Sequence, residues 1–365
     1  MGDQPDPYQH SAGNKCINSK KRMRQTDNHF YKTKPKKFKQ EKIQNSYKSN
    51  DDIITLFRLE LEKILMGSKD LNTNIEDIQP YGSRVSGLNT YESDVDLNIN
   101  YTSTTPVIKL IRSFANSISK SKIFVKVFPL THAKIPIIKC VHRNTWINCD
   151  ISFNNINAVY NSQLLYQIIN MDYRIKPVLM KLKIWGKNIG LINTNGFSSY
   201  SFYWLGLFYM QVMGILPSIH DLQKSEPELI IGGWNYCAFS KKVQECFKNK
   251  HQNISESDIM NAIFSYYSNF DFETFVISPY IGCPLMKNCF NNTDQLPEEY
   301  WRYKQFHETN KNKKLLFLGT TKYNMYIQDP FQHNKNITAR VIPKIFEKFI
   351  KACKDTNLNV QKKVE

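Results

Sequence analysis

Polar and hydrophobic positions alternate along two segments of the chain. Residues 94–101 place aspartate or asparagine at every second position with apolar side chains between them, and residues 147–155 alternate in the same way. Successive side chains of a strand point to opposite faces, so each segment predicts a strand with one polar and one apolar face. Further strands are predicted over residues 75–81, 122–128 and 134–140.

Helical spacing appears in the remaining segments. Residues 51–67 place apolar side chains three and four positions apart, and Gly67 is suited to end that helix. A second helix is predicted from Pro106 to about Ser119, because proline is favoured in the first turn of a helix. Most of the chain after residue 158 also has helical spacing.

These patterns divide the chain into four parts. Residues 1–50 have few large apolar side chains and no periodicity, which predicts a disordered tail. Residues 51–170 predict an α/β domain, residues 171–350 a mostly helical domain, and residues 351–365 a flexible tail. The helix over 51–67 is expected to pack on the helical domain. The predicted fold class is therefore α/β followed by α.

One uncharged stretch, residues 196–217, has the hydropathy of a membrane span. Its serines and Gln211 are poor lipid-facing residues, and the sequence holds no second stretch of this kind. We therefore expect a buried core helix and no membrane partner.

The charge distribution changes the expected partners. The 365-residue chain has a formal net charge of +17, which favours a polyanionic partner. Residues 1–50 carry ten Lys and two Arg against four acidic residues. The runs at 20–24 and 34–39 are typical of nuclear import or RNA contact, or of a merely solvated tail. The eight cysteines form no CxxC pair, which predicts free thiols in a reducing compartment. A cytoplasmic or nuclear location is expected.

The polar faces of the two alternating strands carry the candidate chemistry. Asp94 and Asp96 share one face of the first strand, and Asp150 lies on the polar face of the second. If the strands are adjacent, three carboxylates converge, and they repel each other unless cations neutralise them. Hard oxygen ligands suit Mg²⁺ or Mn²⁺, and a carboxylate trio can hold two ions for nucleotidyl transfer.

A Gly-Ser turn precedes the first strand. Gly82 lets a phosphate approach the backbone, and the hydroxyl of Ser83 can donate to it. Gly87 frees the chain to double back. A lone Gly-Ser pair is a common turn, and a lone Asp-x-Asp is usually a solvated strand edge. The two in this order, followed by a third aspartate on a hydrophobic strand, are hard to produce by chance.

The segment GSRVSGLNTYESDVDL (82–97) resembles the signature of the polymerase-β-type nucleotidyltransferases. More narrowly, it is similar to the terminal RNA nucleotidyltransferases, which include terminal uridylyltransferases and cytoplasmic-type poly(A) polymerases. The resemblance covers roughly residues 51–345 and implies a mixed-sheet nucleotidyltransferase domain joined to a helical PAP-associated domain. Further matching segments are CDISFNN (149–155), NSQLL (161–165), LKIWGKNIGL (182–191), FSSYSF (197–202), GGWNYCAF (232–239) and IQDPF (327–331).

The resemblance assigns roles to individual residues. It implies that Asp94, Asp96 and Asp150 bind two Mg²⁺ or Mn²⁺ ions, and that Asp150 is the general base for the RNA 3′ hydroxyl. The remaining assignments concern the nucleoside triphosphate, UTP or ATP. They are Gly82 and Ser83 (phosphate loop), Lys183, Lys187 and Ser199 (phosphates), Tyr200 (base stacking), Asn161 (ribose or base edge) and His333 (base choice).

The nucleotide is expected to be chosen by the loop after Asp329. Uridylyltransferases of the family carry a longer loop with a histidine directly before an Asn-hydrophobic pair, whereas poly(A) enzymes have a shorter one. Here the loop has uridylyl length, His333 stands two positions early, and Lys335 occupies the usual histidine position. The ending Thr338–Arg340 resembles the poly(A) type. UTP is therefore expected to be the better substrate, with ATP as the alternative.

The expected acceptor is the 3′ end of single-stranded RNA. The sequence contains no recognisable RNA-binding motif, so affinity is expected from basic surface and stacking, together with a partner protein that selects the RNA. Two alternatives remain: an inactive RNA-binding or scaffolding subunit, and a transferase acting on a small molecule or protein. The three aspartates argue against the first, and Lys183, Lys187 and Tyr200 against the second.

Overall fold

The computed structural model describes residues 49–67, 73–133, 135–237, 239–247, 253–310 and 325–364. The predicted disordered tail, residues 1–50, lies almost wholly outside them. The described residues form two compact units. The first contains the described residues up to Pro80 together with Glu92–Asn154, and the second contains Tyr81–Tyr91 and the chain from Asn155 onward.

The first unit is a five-stranded mixed sheet with two helices. The parallel pair of strands lies inside the sheet, whose order is β1-β2-β5-β4-β3, and the β3–β4 and β4–β5 pairs are antiparallel. Its elements are α1 (Asn50–Met66), β1 (Thr73–Tyr81), β2 (Val95–Ser103), α2 (Val107–Ser121), β3 (Phe124–Leu130), β4 (Ile137–His142) and β5 (Asn148–Phe153). The strands and helices predicted for this part of the chain are confirmed, with boundaries moved by a few residues.

Helix α1 packs against the sheet and α2 of its own unit, so its expected position on the helical domain is wrong. It starts at a capping box between Ser49 and Asp52, which satisfies amides at its N-terminus. Its buried stripe includes Phe57 and Leu61, both with no exposed surface, in one core with the apolar faces of β2 and β5. That stripe recurs every four residues and matches the apolar face left by the alternating strands.

The second unit is mostly helical. Its longer helices are α3 (Ile156–Ile169), α4 (Ile175–Asn188), α5 (Ser199–Val212), α8 (Glu256–Asn269) and α10 (Pro343–Val364). The shorter elements are α6 (Ile219–Gln223), β6 (Ile230–Ile231), β7 (Trp234–Asn235), α7 (Lys241–Phe247), β8 (Phe275–Ser278), β9 (Cys283–Met286), three 3₁₀ turns between Lys287 and Tyr300, and α9 (Trp301–Thr309).

The uncharged stretch 196–217 forms the centre of this second unit, as expected. Helix α5 begins at a capping box between Ser198 and Ser201, and its residues from Ser201 to Gln211 are all buried. Gln211 Nε2 donates to the carbonyls of Pro217 and Pro279 at 3.0 Å, so its polar amide has partners inside the core. None of the described helices is long and apolar enough to cross a bilayer.

Two boundaries differ from those predicted. The division between units falls after Asn154, so α3 and the Gly-Ser turn belong to the helical unit and not to the sheet. Residues 351–364, expected to be a flexible tail, continue helix α10. Phe349 and Cys353 are buried on that helix, and their burial in the helical core extends it beyond the predicted end.

Candidate active site

The two strands that carry the aspartates are neighbours in the sheet. Strands β2 and β5 pair in parallel, and Asp96 stands directly opposite Asp150 in the register. Paired residues of adjacent strands point to the same face, so these two carboxylates lie side by side. The sequence left the adjacency of these two strands as a condition, and the pairing of β2 with β5 meets it.

Protein donors hold two of the carboxylates. Asn148 Nδ2 donates to Asp94 Oδ1 at 2.8 Å, which places Asp94 on the same sheet face just before β2 begins. Lys139 is the register partner of Asp150 on β4, and its Nζ donates to Asp150 Oδ2 at 2.6 Å. The described residues contain no group of three or more His, Cys, Asp or Glu side chains already gathered closely enough to enclose an ion.

The donor set nevertheless fits Mg²⁺ or Mn²⁺. Three carboxylates share the face, and Lys139 forms an ion pair with Asp150. Burial raises the pKa of Asp150, and the neighbouring Asp94 raises it further, against the opposing effect of Lys139. Negative charge on this face thus exceeds what Lys139 neutralises, and hard divalent cations bind to such carboxylate oxygens.

The predicted phosphate loop is a tight turn in the second unit. Gly82 has a φ of 79°, a conformation that glycine adopts without strain. Its N–H donates to Ser162 Oγ at 2.8 Å, which ties the turn to helix α3. The amide of Leu88 donates to the carbonyl of Ser83 at 3.0 Å and closes the loop. The N–H of Gly82 is therefore already bonded, and the hydroxyl of Ser83 is the group that the turn offers to a phosphate.

The two lysines predicted to contact phosphates differ in environment. Lys183 is only 4% exposed, and its Nζ donates to the carbonyl of Leu88 at 3.0 Å. Burial, together with the positive charge of Lys187, lowers the pKa of Lys183 to about 8. Lys187 is exposed one turn further along α4. No described carboxylate pairs with either lysine, so both remain available to an anionic ligand.

Residues assigned to the nucleobase and ribose form a second group in the helical unit. Asn161 Oδ1 is buried and accepts no hydrogen bond. Burial raises the pKa of the Tyr200 hydroxyl well above its ordinary value, and the charge of Asp329 adds to that effect. Asp329 is 1% exposed, and its Oδ2 lies 3.4 Å from Lys335 Nζ. Ser199 opens helix α5 immediately before Tyr200, at a helix N-terminus that favours anions.

His333 lies in a different environment from the one expected. Its ring packs among aromatic side chains, with ring centroids 3.9 Å from Tyr280, 5.2 Å from Trp234 and 5.6 Å from Tyr300. Lys335, rather than His333, reaches the carboxylate that acts on Tyr200. The role of His333 in base choice stays a prediction, and the structure places its ring among aromatic side chains.

Three further residues contact the predicted side chains within each unit and were not predicted from the sequence. Lys139 and Asn148 hold carboxylates on the sheet, and Asp329 links Lys335 to Tyr200. Asn148 is two positions before Asp150 on the same polar face, a period-two signal that was visible in the sequence. Lys139 could be found only from the antiparallel register of β4 with β5, which no local pattern specifies.

The fold is that of the polymerase-β-like nucleotidyltransferases. The structure superimposes on that of mtPAP in complex with ATPγS with a TM-score of 0.70 and 18% identity, covering 90% of this chain and 68% of that one. It also superimposes on Cid1 in complex with its short product ApU, with a TM-score of 0.65 and 21% identity, covering 88% of both chains.

The chain is similar to the terminal RNA nucleotidyltransferases over two segments. Residues 36–170 match the family model of the central palm domain of the mitochondrial-like poly(A) RNA polymerase, and residues 258–335 match that of the Cid1 family poly A polymerase.

Curated relatives include enzymes named for either nucleotide. The chain is 28% identical over 247 residues to the mitochondrial poly(A) RNA polymerase of Drosophila melanogaster, covering 57% of this chain and 40% of that one. It is 27% identical over 290 residues to the human terminal uridylyltransferase 7, covering 74% of this chain and 17% of that one. The chain thus spans less than half the length of these two relatives.

Proposed function

We propose that the protein transfers nucleotides from a nucleoside triphosphate to the 3′ end of single-stranded RNA. The observation that carries the proposal is the register of Asp96 opposite Asp150, with Asp94 on the same face. Similarity to relatives named poly(A) RNA polymerase and terminal uridylyltransferase supports it. Divalent ions held by these carboxylates would neutralise charge on the triphosphate and lower the pKa of the attacking hydroxyl.

The chain's own residues divide the remaining work. Asp150 takes the proton of the RNA 3′ hydroxyl, the role that the family resemblance gives it. Lys183, Lys187 and the hydroxyl of Ser83 bind the phosphates, and the buried cation Lys183 supplies the strongest attraction because burial lowers the local dielectric. Tyr200 stacks on the base.

The test is extension of a short labelled RNA with each of the four nucleoside triphosphates. We expect Asp96→Asn to abolish extension, because the amide keeps the shape of the side chain and removes its charge. Asp77→Asn is the matched control, since Asp77 is an exposed carboxylate on β1. An Asp96→Asn protein that extends RNA at near the wild-type rate would refute the assignment.

We propose UTP as the preferred nucleotide. Lys335 stands directly before Asn336 and Ile337, where uridylyltransferases carry their purine-excluding histidine, and its ammonium is held 3.4 Å from Asp329 Oδ2. A side chain anchored there leaves room for uracil and crowds the larger adenine. Use of ATP by the same machinery is the second candidate, and the burial of His333 among aromatic rings favours it, since that histidine adds no crowding.

Competition kinetics between UTP and ATP decide between the two. We expect Lys335→Ala to raise kcat/KM for ATP relative to UTP by roughly one to two orders of magnitude, because emptying part of a pocket changes selectivity by ~1–3 kcal/mol. Lys344→Ala, which removes an exposed lysine nearby in the chain, is the control. Long adenosine tails and discrimination against UTP by the wild type would overturn the nucleotide choice and leave the reaction class intact.

The acceptor RNA, a partner protein that selects it, and a cytoplasmic or nuclear location remain part of this proposal. The strongly basic chain supports an RNA partner. Removing residues 1–48 is expected to weaken RNA binding and to flatten its salt dependence, because fewer phosphate contacts release fewer counterions.

A further inference from the structure

A cavity in the helical unit shares none of its lining residues with the nucleotide-binding group described above. Its volume is about 170 Å³, room for about six waters or one planar ring system. The lining residues are His220, Gln223, Lys224, Glu226, Glu228, Asn235, Tyr280, Trp301, Arg302 and His333.

His333 gives the cavity an unpaired acceptor. The residue is 4% exposed, and its Nδ1 has no hydrogen-bond partner. Burial lowers the pKa of His333 to about 3, and a hydrogen bond to the backbone of Pro330 opposes that effect only in part. The ring is therefore neutral at physiological pH, and with its proton used towards Pro330, Nδ1 is an acceptor. A buried acceptor with no protein partner is costly unless a ligand or a water in the cavity supplies a donor.

The cations around the cavity already have anionic partners. Arg302 Nη2 lies 2.5 Å from Glu228 Oε2, and the guanidinium stacks 4.1 Å from the centroid of Trp301. Lys224 donates to Asp221 Oδ1 at 2.9 Å. Glu226 has no ion pair among the described residues. The charge that the lining leaves uncompensated is therefore negative.

The two amides of the lining complete the pattern. Gln223 Nε2 donates to the carbonyls of Asn235 and Cys237, which leaves Gln223 Oε1 as an acceptor. Asn235 Oδ1 accepts from the amides of Leu229 and Cys237, which leaves Asn235 Nδ2 as a donor. Together with Glu226 and His333, the cavity offers several acceptors and one amide donor beside aromatic walls.

We propose that this cavity binds a single unpaired guanine base. The Watson–Crick edge of guanine presents two adjacent N–H donors, which a carboxylate such as that of Glu226 accepts as a pair, and a carbonyl that Asn235 Nδ2 can reach. Tyr280 and the Arg302–Trp301 stack provide planar surfaces, and stacking on such surfaces is the usual way in which proteins hold unpaired bases. Adenine, cytosine and uracil lack the paired donors.

The net charge identifies the source of the base. A cationic side chain of a protein partner would also satisfy Glu226 and His333, but a chain with a net charge of +17 repels basic peptides and attracts RNA. The inference rests on the proposed function only in taking RNA as the bound polymer. Binding is therefore measured without nucleoside triphosphate or divalent ions, so that it can succeed or fail independently of nucleotide transfer.

The test compares the affinity of the full chain for a ten-residue uridine oligonucleotide and for the same oligonucleotide with one internal guanosine, by fluorescence anisotropy. We expect the guanosine to tighten binding at least about fivefold, the lower end of what a bidentate base contact provides. Glu226→Gln and His333→Phe should each reduce that ratio towards one and leave the affinity for the uridine oligonucleotide unchanged.

The controls separate base recognition from folding and from general RNA binding. His333→Phe keeps an aromatic ring in the cluster but removes the Nδ1 acceptor and the hydrogen bond to Pro330, and its melting temperature verifies folding. Glu245→Gln removes an exposed carboxylate outside the cavity and should keep the guanosine preference. If guanosine monophosphate displaces the guanosine-containing oligonucleotide, the cavity binds the isolated nucleotide. If it does not, the preference for guanosine requires the rest of the RNA chain. Equal wild-type affinity for the two oligonucleotides, or a preference that survives both cavity variants, would overturn the proposal.

Discussion

Replacing the buried Lys183 with methionine should stabilise the protein while weakening its binding of nucleoside triphosphate. Lys183 is 4% exposed, and its ammonium has the carbonyl of Leu88 as acceptor and no described carboxylate as partner. The fall of its pKa from 10.5 to about 8, caused mainly by burial and secondarily by Lys187, corresponds to at most about 3 kcal/mol of folding free energy. The lost hydrogen bond and residual solvation reduce the expected gain to about 1–2 kcal/mol.

The gain depends on pH in a defined direction. The pKa of Lys183 is lower in the folded chain than in the unfolded chain. The cost in folding free energy of burying the charged lysine is therefore present in full below pH 8. It disappears as the pH rises towards 10.5, where the unfolded chain also loses the proton. The difference in unfolding free energy between Lys183→Met and wild type should therefore be largest at pH 7 and should shrink steadily above pH 8.

Urea unfolding followed by tryptophan fluorescence measures this difference. Four of the five tryptophans, Trp185, Trp204, Trp234 and Trp301, belong to the helical unit that contains Lys183. Lys187→Met is the matched control, since it removes an exposed charge from the same helix and should change stability little. The KM for the nucleotide should rise at least about tenfold in Lys183→Met. A variant that is less stable than wild type at pH 7, or whose stability difference does not vary with pH, would refute the reasoning.

Two further predictions concern pH and backbone geometry. The kcat/KM of the wild type relative to Lys183→Met should fall above about pH 8, because free enzyme then loses the charge that attracts phosphates; a ratio constant to pH 9.5 would contradict this. Gly87→Ala should lower the unfolding free energy by about 1–3 kcal/mol, since Gly87 has a φ of 72° and an added Cβ would lie 3.0 Å from Ile169 Cδ1. Gly67→Ala, at a helix end with ordinary φ and ordinary contacts, is its control and should cost much less.

Period-two alternation predicted the strands that carry the aspartates because each has one buried and one polar face. Alternation alone could not predict that Asp96 lies opposite Asp150. It indicates which face of a strand a residue occupies but not which strands are neighbours. The family resemblance supplied that adjacency. Lys139 was missed because its contact depends on the register of a third strand, β4, which the sequence leaves undefined.

Two expectations about packing have a common physical limit. Helix α1 was assigned to the wrong partner because an amphipathic stripe shows that a helix is buried on one side but not against what. His333 was assigned to the nucleotide on its distance along the loop, whereas the ring is drawn into a cluster with Trp234, Tyr280 and Tyr300. Long-range packing of this kind overrides any expectation based on spacing within a loop.

The two units carry opposite uncompensated charge, and this difference bears on the proposed reaction. The sheet holds three aspartates against Lys139, whereas the helical unit holds Lys183 and Lys187 with no described carboxylate paired to them. In the proposed reaction the carboxylates would bind the divalent ions and the lysines would bind the phosphates. Binding of the ions alone should then be insensitive to Lys183→Met, while binding of the complex should not. Equal sensitivity of both in calorimetric titrations would show that the charges do not act separately.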